Sequence, residues 1–138
     1  MRLFKIITHP VLLISIFLVL IINGENWGGV YLWYLLLALP HGAVHSLFAV
    51  LGCGLIVYSY ARYERKGKYL VGPLLNLAGL LFLLLSVFYF FYNDKSNYNI
   101  STFEGGVPLF MMGLFGILSL LFAIDNVVLL FTKERVLK

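Results

Sequence analysis

Long apolar runs, each closed by a short polar or basic cluster, set the pattern of this chain. The first covers residues 6–22, between Arg2 and Lys5 on one side and Asn23-Gly24-Glu25-Asn26 on the other. The second covers residues 27–61, contains Pro40 and ends in Arg62-Tyr63-Glu64-Arg65-Lys66-Gly67-Lys68. Residues 69–92 and 107–131 form the third and fourth, separated by the polar loop 93–106. A run of about 20 apolar residues, rising about 1.5 Å per residue as a helix, crosses the ~30 Å hydrocarbon core of a bilayer. The pattern therefore predicts an all-α integral membrane protein: a four-helix transmembrane bundle forming one polytopic domain over residues 1–138. The spans fall at about 6–22, 31–61, 69–92 and 107–131.

Two prolines bear on the helix ends. Pro10 lies in the first turns of the first span, where its missing N–H costs little. Pro40 disfavours helical geometry at Leu39. The run around it would make a straight helix of roughly 50 Å, too long for a simple span. Two readings follow. Either residues 29–39 are a short interfacial or re-entrant piece and residues 40–61 the span, or one kinked, tilted helix runs from about Tyr31 to Tyr60. Aromatic clusters at both ends favour the second: Trp27, Tyr31, Trp33 and Tyr34 at one interface, Tyr58, Tyr60 and Tyr63 at the other. Either way the second helix is kinked or broken near Pro40. The basic start and apolar run also resemble a signal peptide, but no small-x-small cleavage pattern follows, so the segment reads as a retained helix.

Composition agrees. The chain is 62% hydrophobic and 12% charged, with a mean hydropathy of +0.96. A soluble domain carries roughly twice that charge fraction. The net charge of +4 does not point to nucleic acid, because the bases hug the ends of the apolar runs. In a four-span arrangement Arg2, Lys5, Arg62, Arg65, Lys66, Lys68, Lys133, Arg135 and Lys138 fall on one side and Lys95 alone on the other. Positive residues stay cytoplasmic, so both termini are predicted to be cytoplasmic, with the chain in a bacterial inner membrane. The basic collar suits anionic inner-leaflet lipids. Cys53 is the single cysteine, which excludes an intramolecular disulfide and any CxxC site.

Candidate chemistry rests on the few polar residues inside the runs. Asp125 and Asn126 sit within residues 107–131, and an acid at that depth is expensive. Asp125 lies eight residues before Lys133, and Asn76 eight residues after Lys68. Each is thus about 12 Å inside the cytoplasmic edge, with Ser15 a little deeper. Asp125, Asn126, Asn76 and Ser15 together predict a polar layer in the inner leaflet. It is either a proton, cation or pore site, or a set of hydrogen bonds that keeps the helices in register. Small residues that would let helices approach are Gly42 with Ser46, Gly52, Cys53 and Gly54 on the second span, and Gly113 and Gly116 on the fourth.

His41 and His45, four apart, would share one helical face in the outer half, a spacing that suits a metal or haem. A complete site would need ligands from another segment, with Glu25, Asp94 and Glu104 as the acids on that side. Pro40-His41-Gly42-Ala43 resembles a PHGA stretch of the bacterial carotene dioxygenase family. The likeness covers four residues, and the metal ligands of that family have no counterparts on the other segments, so no membership follows. No catalytic triad, phosphate loop or acidic pair is present, and the chain does not read as an enzyme. The expected function is that of a small oligomeric inner-membrane protein, either a channel or pore-type effector or a membrane subunit of a larger complex. Its partners would be the lipid bilayer and copies of itself or of another membrane protein, and it would need no cofactor. The alternatives are a metal- or haem-binding redox protein using His41 and His45, and a passive anchor or assembly factor.

Overall fold

A computed structural model describes residues 2–23, 28–64, 70–94 and 99–134. The loop and tail bases Arg65, Lys66, Lys68, Lys95, Arg135 and Lys138 of the charge count, together with Glu25 and Trp27, lie outside those residues. The described chain is mostly helical. Its elements are α1 (Arg2–Ile7), α2 (Pro10–Leu18), β1 (Ile21–Asn23), β2 (Gly28–Val30), α3 (Tyr31–Ala38), α4 (Val44–Ser59), α5 (Val71–Tyr92) and α6 (Gly106–Glu134). Short 3-10 turns occupy Leu39–His41 and Ile100–Phe103, and a π turn at Tyr60–Glu64 extends α4. Three helical stretches are long and apolar enough to cross a membrane: Val44–Arg62, Val71–Tyr92 and Gly106–Thr132.

The first apolar run departs from the continuous helix predicted over residues 6–22. Pro10 does not sit in the first turns of one long helix. It opens a second one, with His9 extended at the N-cap. The Val11 N–H donates to His9 Nδ1 at 3.3 Å, and the Leu12 and Leu13 N–H groups both donate to the His9 carbonyl. Helix α2 ends at Leu18, and Ile21–Asn23 pairs antiparallel with Gly28–Val30, with Ile22 opposite Gly29. The β-branched residues Ile21, Ile22 and Val30 favour this ladder.

The second run is two helices. At the end of α3 the Ala43 N–H donates to the Ala38 carbonyl and the Gly42 N–H to the Leu39 carbonyl. This is a Schellman closure, and it needs a left-handed residue, supplied by Gly42 at φ 66°. Ala43 is then extended, and α4 begins afresh at Val44. Helix α3, with eight residues, is too short to cross a bilayer by itself.

Helices α4 and α5 form the closest pair. A Cβ on Gly52 would lie 2.8 Å from the Gly79 carbonyl oxygen, and one on Gly79 would lie 2.9 Å from that of Gly52. The two backbones touch where neither has a side chain, as small residues allow in lipid. On α5 the inward face reads Gly72, Gly79, Leu83, Ser86 and Phe90, and on α4 it reads Ser46, Ala49, Gly52, Ile56 and Ser59. The first segment runs antiparallel along α6. Asn23 adjoins Gly105 at the start of α6, the Phe17 and Phe115 rings lie 5.7 Å apart, and α1 packs against α6 as well. Leu13, Phe17, Leu20, Tyr31, Leu83, Phe115 and Phe122 fill the shared interior.

Candidate functional site: two polar layers

Polar side chains enter this apolar interior at two levels. They are separated along α5 by the ten residues from Asn76 to Ser86, about 15 Å.

The inner level centres on Asn76 and Asn126. The Asn76 amide donates to Asn126 Oδ1 at 2.8 Å, and the Asn126 amide donates to the Phe122 carbonyl of its own helix at 2.8 Å. Asn126 is 2% exposed, so its amide is satisfied at both ends inside the protein. Asn76 Oδ1 is buried and has no hydrogen-bond partner. Nearby, Ser59 Oγ donates to the Gly72 carbonyl at 2.9 Å, tying the end of α4 to the start of α5. His9 packs edge-on against Tyr60 with ring centroids 5.2 Å apart.

Asp125 is half-buried and makes no hydrogen bond or ion pair among the described residues. Neighbouring side chains on a helix diverge by about 100°, so Asp125 is turned away from the direction in which Asn126 meets Asn76. Ser15 does not join the layer. It lies exposed on the outer face of α2, and the polar groups of the first segment at this level are Thr8 and His9.

The outer level joins three helices. The Tyr31 hydroxyl lies 2.9 Å from Ser86 Oγ and donates to the Ser86 carbonyl at 3.1 Å, while Ser86 Oγ donates to the His45 carbonyl at 2.7 Å. Tyr31, His45 and Phe90 pack ring against ring around this node. His45 Nε2 and Ser46 Oγ are buried without partners, as is Ser119 Oγ on α6. Above the node, Thr102 Oγ1 accepts from the Asn23 N–H at 3.0 Å and Ser101 Oγ donates to the Asn23 carbonyl at 3.0 Å. These bonds fasten the hairpin to the outer end of α6.

The predicted shared face of His41 and His45 is interrupted. Gly42 breaks the helix between them, so a spacing of four no longer implies one face. His41 is exposed, with Nδ1 3.0 Å from the Leu37 carbonyl, whereas His45 is half-buried among aromatic rings. Of the small residues, Gly52 is in close contact. Gly42 serves the turn, and a Cβ on Gly54, Gly113 or Gly116 would meet nothing within 4 Å. Gly79 and Ser86 were not predicted as contact residues from the sequence, and Tyr31 was read only as part of an interfacial aromatic cluster. Ser86 and Asn76 are the polar breaks in the apolar run of α5, and Gly79 lies between them on the same face. An apolar groove of about 540 Å³ opens between α5 and α6 at their outer ends, lined by Val87, Phe88, Phe91, Met112 and Phe115 among others.

Compared with known protein families, curated proteins and solved structures, the chain has no significant match in any of the three.

Proposed function

We propose that this chain is a small membrane protein that acts by assembling, as an oligomeric channel or pore-type effector or as the membrane subunit of a larger complex. Asp125 would stand at the conducting or coupling level. The observation that carries this is an acid within Gly106–Thr132, itself long enough to cross, that makes no bond to any described residue while Asn126 beside it is bonded at both its oxygen and its nitrogen. An acid at membrane depth has a high cost, and acids kept there mark ion and proton paths. A chain with three or four helices cannot enclose a wide aqueous path, so conduction calls for several copies around an axis.

The reading includes four crossings with both termini in the cytoplasm of a bacterial inner membrane. Support comes from the nine-to-one distribution of bases and from the course of the first segment, whose His9 meets Tyr60 at one end of the bundle and whose Asn23 meets Gly105 at the other. In a Cys53→Ser background, Ser96→Cys is expected to label only from the periplasmic side.

The deciding experiment measures mass in nanodiscs and ion flux in liposomes. The expected result is a defined oligomer whose flux falls at least tenfold in Asp125→Asn. A monomer that passes no ions and binds no membrane partner would overturn the proposal.

A further inference from the structure

His45 is the second residue of α4, just past the Gly42 break, where α3, α4 and α5 meet. Its ring lies 5.3 Å from that of Phe90 on α5, nearly perpendicular to it, and 6.5 Å from that of Tyr31 on α3. Phe90 also packs against Tyr31 at 5.2 Å and Tyr34 at 5.4 Å. The backbone is fixed as well, because the His45 carbonyl accepts from Ser86 Oγ, which in turn touches the Tyr31 hydroxyl. Ring and carbonyl of one histidine thus tie α3 and the start of α4 to α5.

The surroundings of this ring are uncharged. Tyr31 and Tyr34 are the titratable groups that α3 brings to the cluster. Helix α5 presents Ser86 and Phe90, and its Tyr89 turns to Phe48 instead. Helix α2, which also packs on α4, carries no titratable side chain, and the π turn lies at the far end of α4. On its own segment, His41 lies before the break, exposed, with Nδ1 at the Leu37 carbonyl. Asp94 Oδ2 accepts the Asn99 N–H at 2.7 Å, Glu104 is exposed, and neither pairs with His45.

His45 Nε2 is buried without a hydrogen-bond partner. A neutral imidazole tolerates this, because Nδ1 can carry the single proton and leave Nε2 as a bare acceptor. The imidazolium cannot. Both nitrogens then carry N–H, and a charged donor stands among apolar rings with no acceptor. A cation–π contact with Phe90 offsets part of that cost but supplies no counter-charge.

We propose that His45 is an acid-sensitive latch. Neutral, it holds the α3–α4 corner on α5. Protonated, it leaves the Tyr31–Phe90 cluster and frees that corner to move about Gly42. Histidine is the side chain that titrates nearest neutral pH, so mild acidification reaches it. Gly42, at φ 66° and with nothing within 4 Å of where a Cβ would lie, provides the pivot. Because the cluster accepts only the neutral ring, the corner keeps its full stability above about pH 6.5, where a free imidazole titrates, and loses it as pH falls below. That the latch senses the outer side rests on the proposed topology. The latch itself needs neither that topology nor a pore.

Thermal unfolding of the full chain in nanodiscs, where both faces meet the buffer, tests it. Trp33 on exposed α3 reports the local motion by its fluorescence anisotropy, in a Trp27→Phe background. From about pH 7.5 to about pH 5.5, Tm is expected to fall by about 5 °C, and the Trp33 anisotropy to fall with the same midpoint. The double variant His9→Gln/His41→Gln leaves His45 as the single histidine without touching its cluster, and should keep both transitions. His45→Phe keeps a ring there but cannot titrate, and should abolish both. Loss of the transitions in the double variant, their survival in His45→Phe, or an anisotropy that does not change with pH in wild type overturns the latch.

Discussion

In the outer half of the bundle, Tyr31 and Ser86 link three helices through contacts of 2.9 and 3.1 Å and the 2.7 Å bond to the His45 carbonyl. In the inner half, Asn76 and Asn126 link two helices through one bond of 2.8 Å, and Asp125 beside them has no described partner. Both levels keep buried side-chain atoms without a partner: His45 Nε2 and Ser46 Oγ at the outer level, and Asn76 Oδ1 at the inner level. The outer node therefore reads as architecture, which holds the broken second segment onto α5. What sets the inner level apart is Asp125, an acid that makes no bond to a described residue.

The two levels hang on one seam, and breaking it should have the largest effect. Gly79→Leu would drive a side chain into the Gly52 carbonyl and Ile56, whose Cγ1 lies 2.6 Å from the position of a Cβ. The contact includes backbone and cannot yield cheaply, so a loss of about 3 kcal/mol or more in folding stability is expected. Gly113→Leu is the matched control. It opens onto free space and should change stability by less than about 0.5 kcal/mol. Reversible unfolding in mixed micelles compares the two. Should both variants lose the same stability, α4 and α5 are not held by that contact.

Next in size is Ser86→Ala. It removes the bond to the His45 carbonyl and leaves the Tyr31 hydroxyl with the Ser86 carbonyl alone, all in a site that is 0% exposed. A loss of about 1–3 kcal/mol is expected, and Tyr31→Phe should lose less, about 1 kcal/mol. If the outer node is purely architectural, neither variant alters ion flux per folded oligomer.

How much of this was readable beforehand depended on what signal each part emits. Three membrane-length helices follow directly from the apolar runs, because length and hydropathy alone decide them. The first segment was harder, since its break comes from a side chain: His9 captures the Val11 N–H and diverts the backbone just before Pro10. No hydropathy window registers such a bond. The hairpin Ile21–Asn23 with Gly28–Val30 was missed for a related reason, as β-branched residues at the end of an apolar run look like more helix. The inward faces were missed because in lipid the interior is no more apolar than the exterior. Gly72, Asn76, Gly79, Leu83, Ser86 and Phe90 recur on one face of α5 at alternating steps of four and three. That period appears only when small and polar residues are counted as the inside. Depth measured from flanking bases put Asn76 level with Asp125, and the residue that bonds Asn76 is the next one along, Asn126. Depth carries no information about azimuth, which is why Ser15, at a similar depth, lies on the outer face.

The pairing across the inner level should be smaller than that of the outer node. A double-mutant cycle of Asn76→Ala and Asn126→Ala is expected to give a coupling of about 0.6 kcal/mol, and no more than about 1.7 kcal/mol, the range found for interhelical hydrogen bonds in lipid. Zero coupling would mean that the two amides meet no more tightly than lipid would hold them. It would also withdraw the reason for treating this level as organised.

Asp125→Asn should have the smallest effect on stability and the largest on function, which separates the two levels most sharply. Its carboxylate contributes no hydrogen bond that could be lost to a described residue. An acid is costly at membrane depth and an amide less so, so the variant should be as stable as wild type or slightly more so. A structural acid behaves in the opposite way. If its bonds held α6 in register, their removal would strand a buried partner and cost about 1–3 kcal/mol. Unfolding therefore distinguishes a brace from a site before any flux is measured. A stability loss as large as that of Ser86→Ala would place Asp125 with the architecture, and the inner level would then differ from the outer one in position alone.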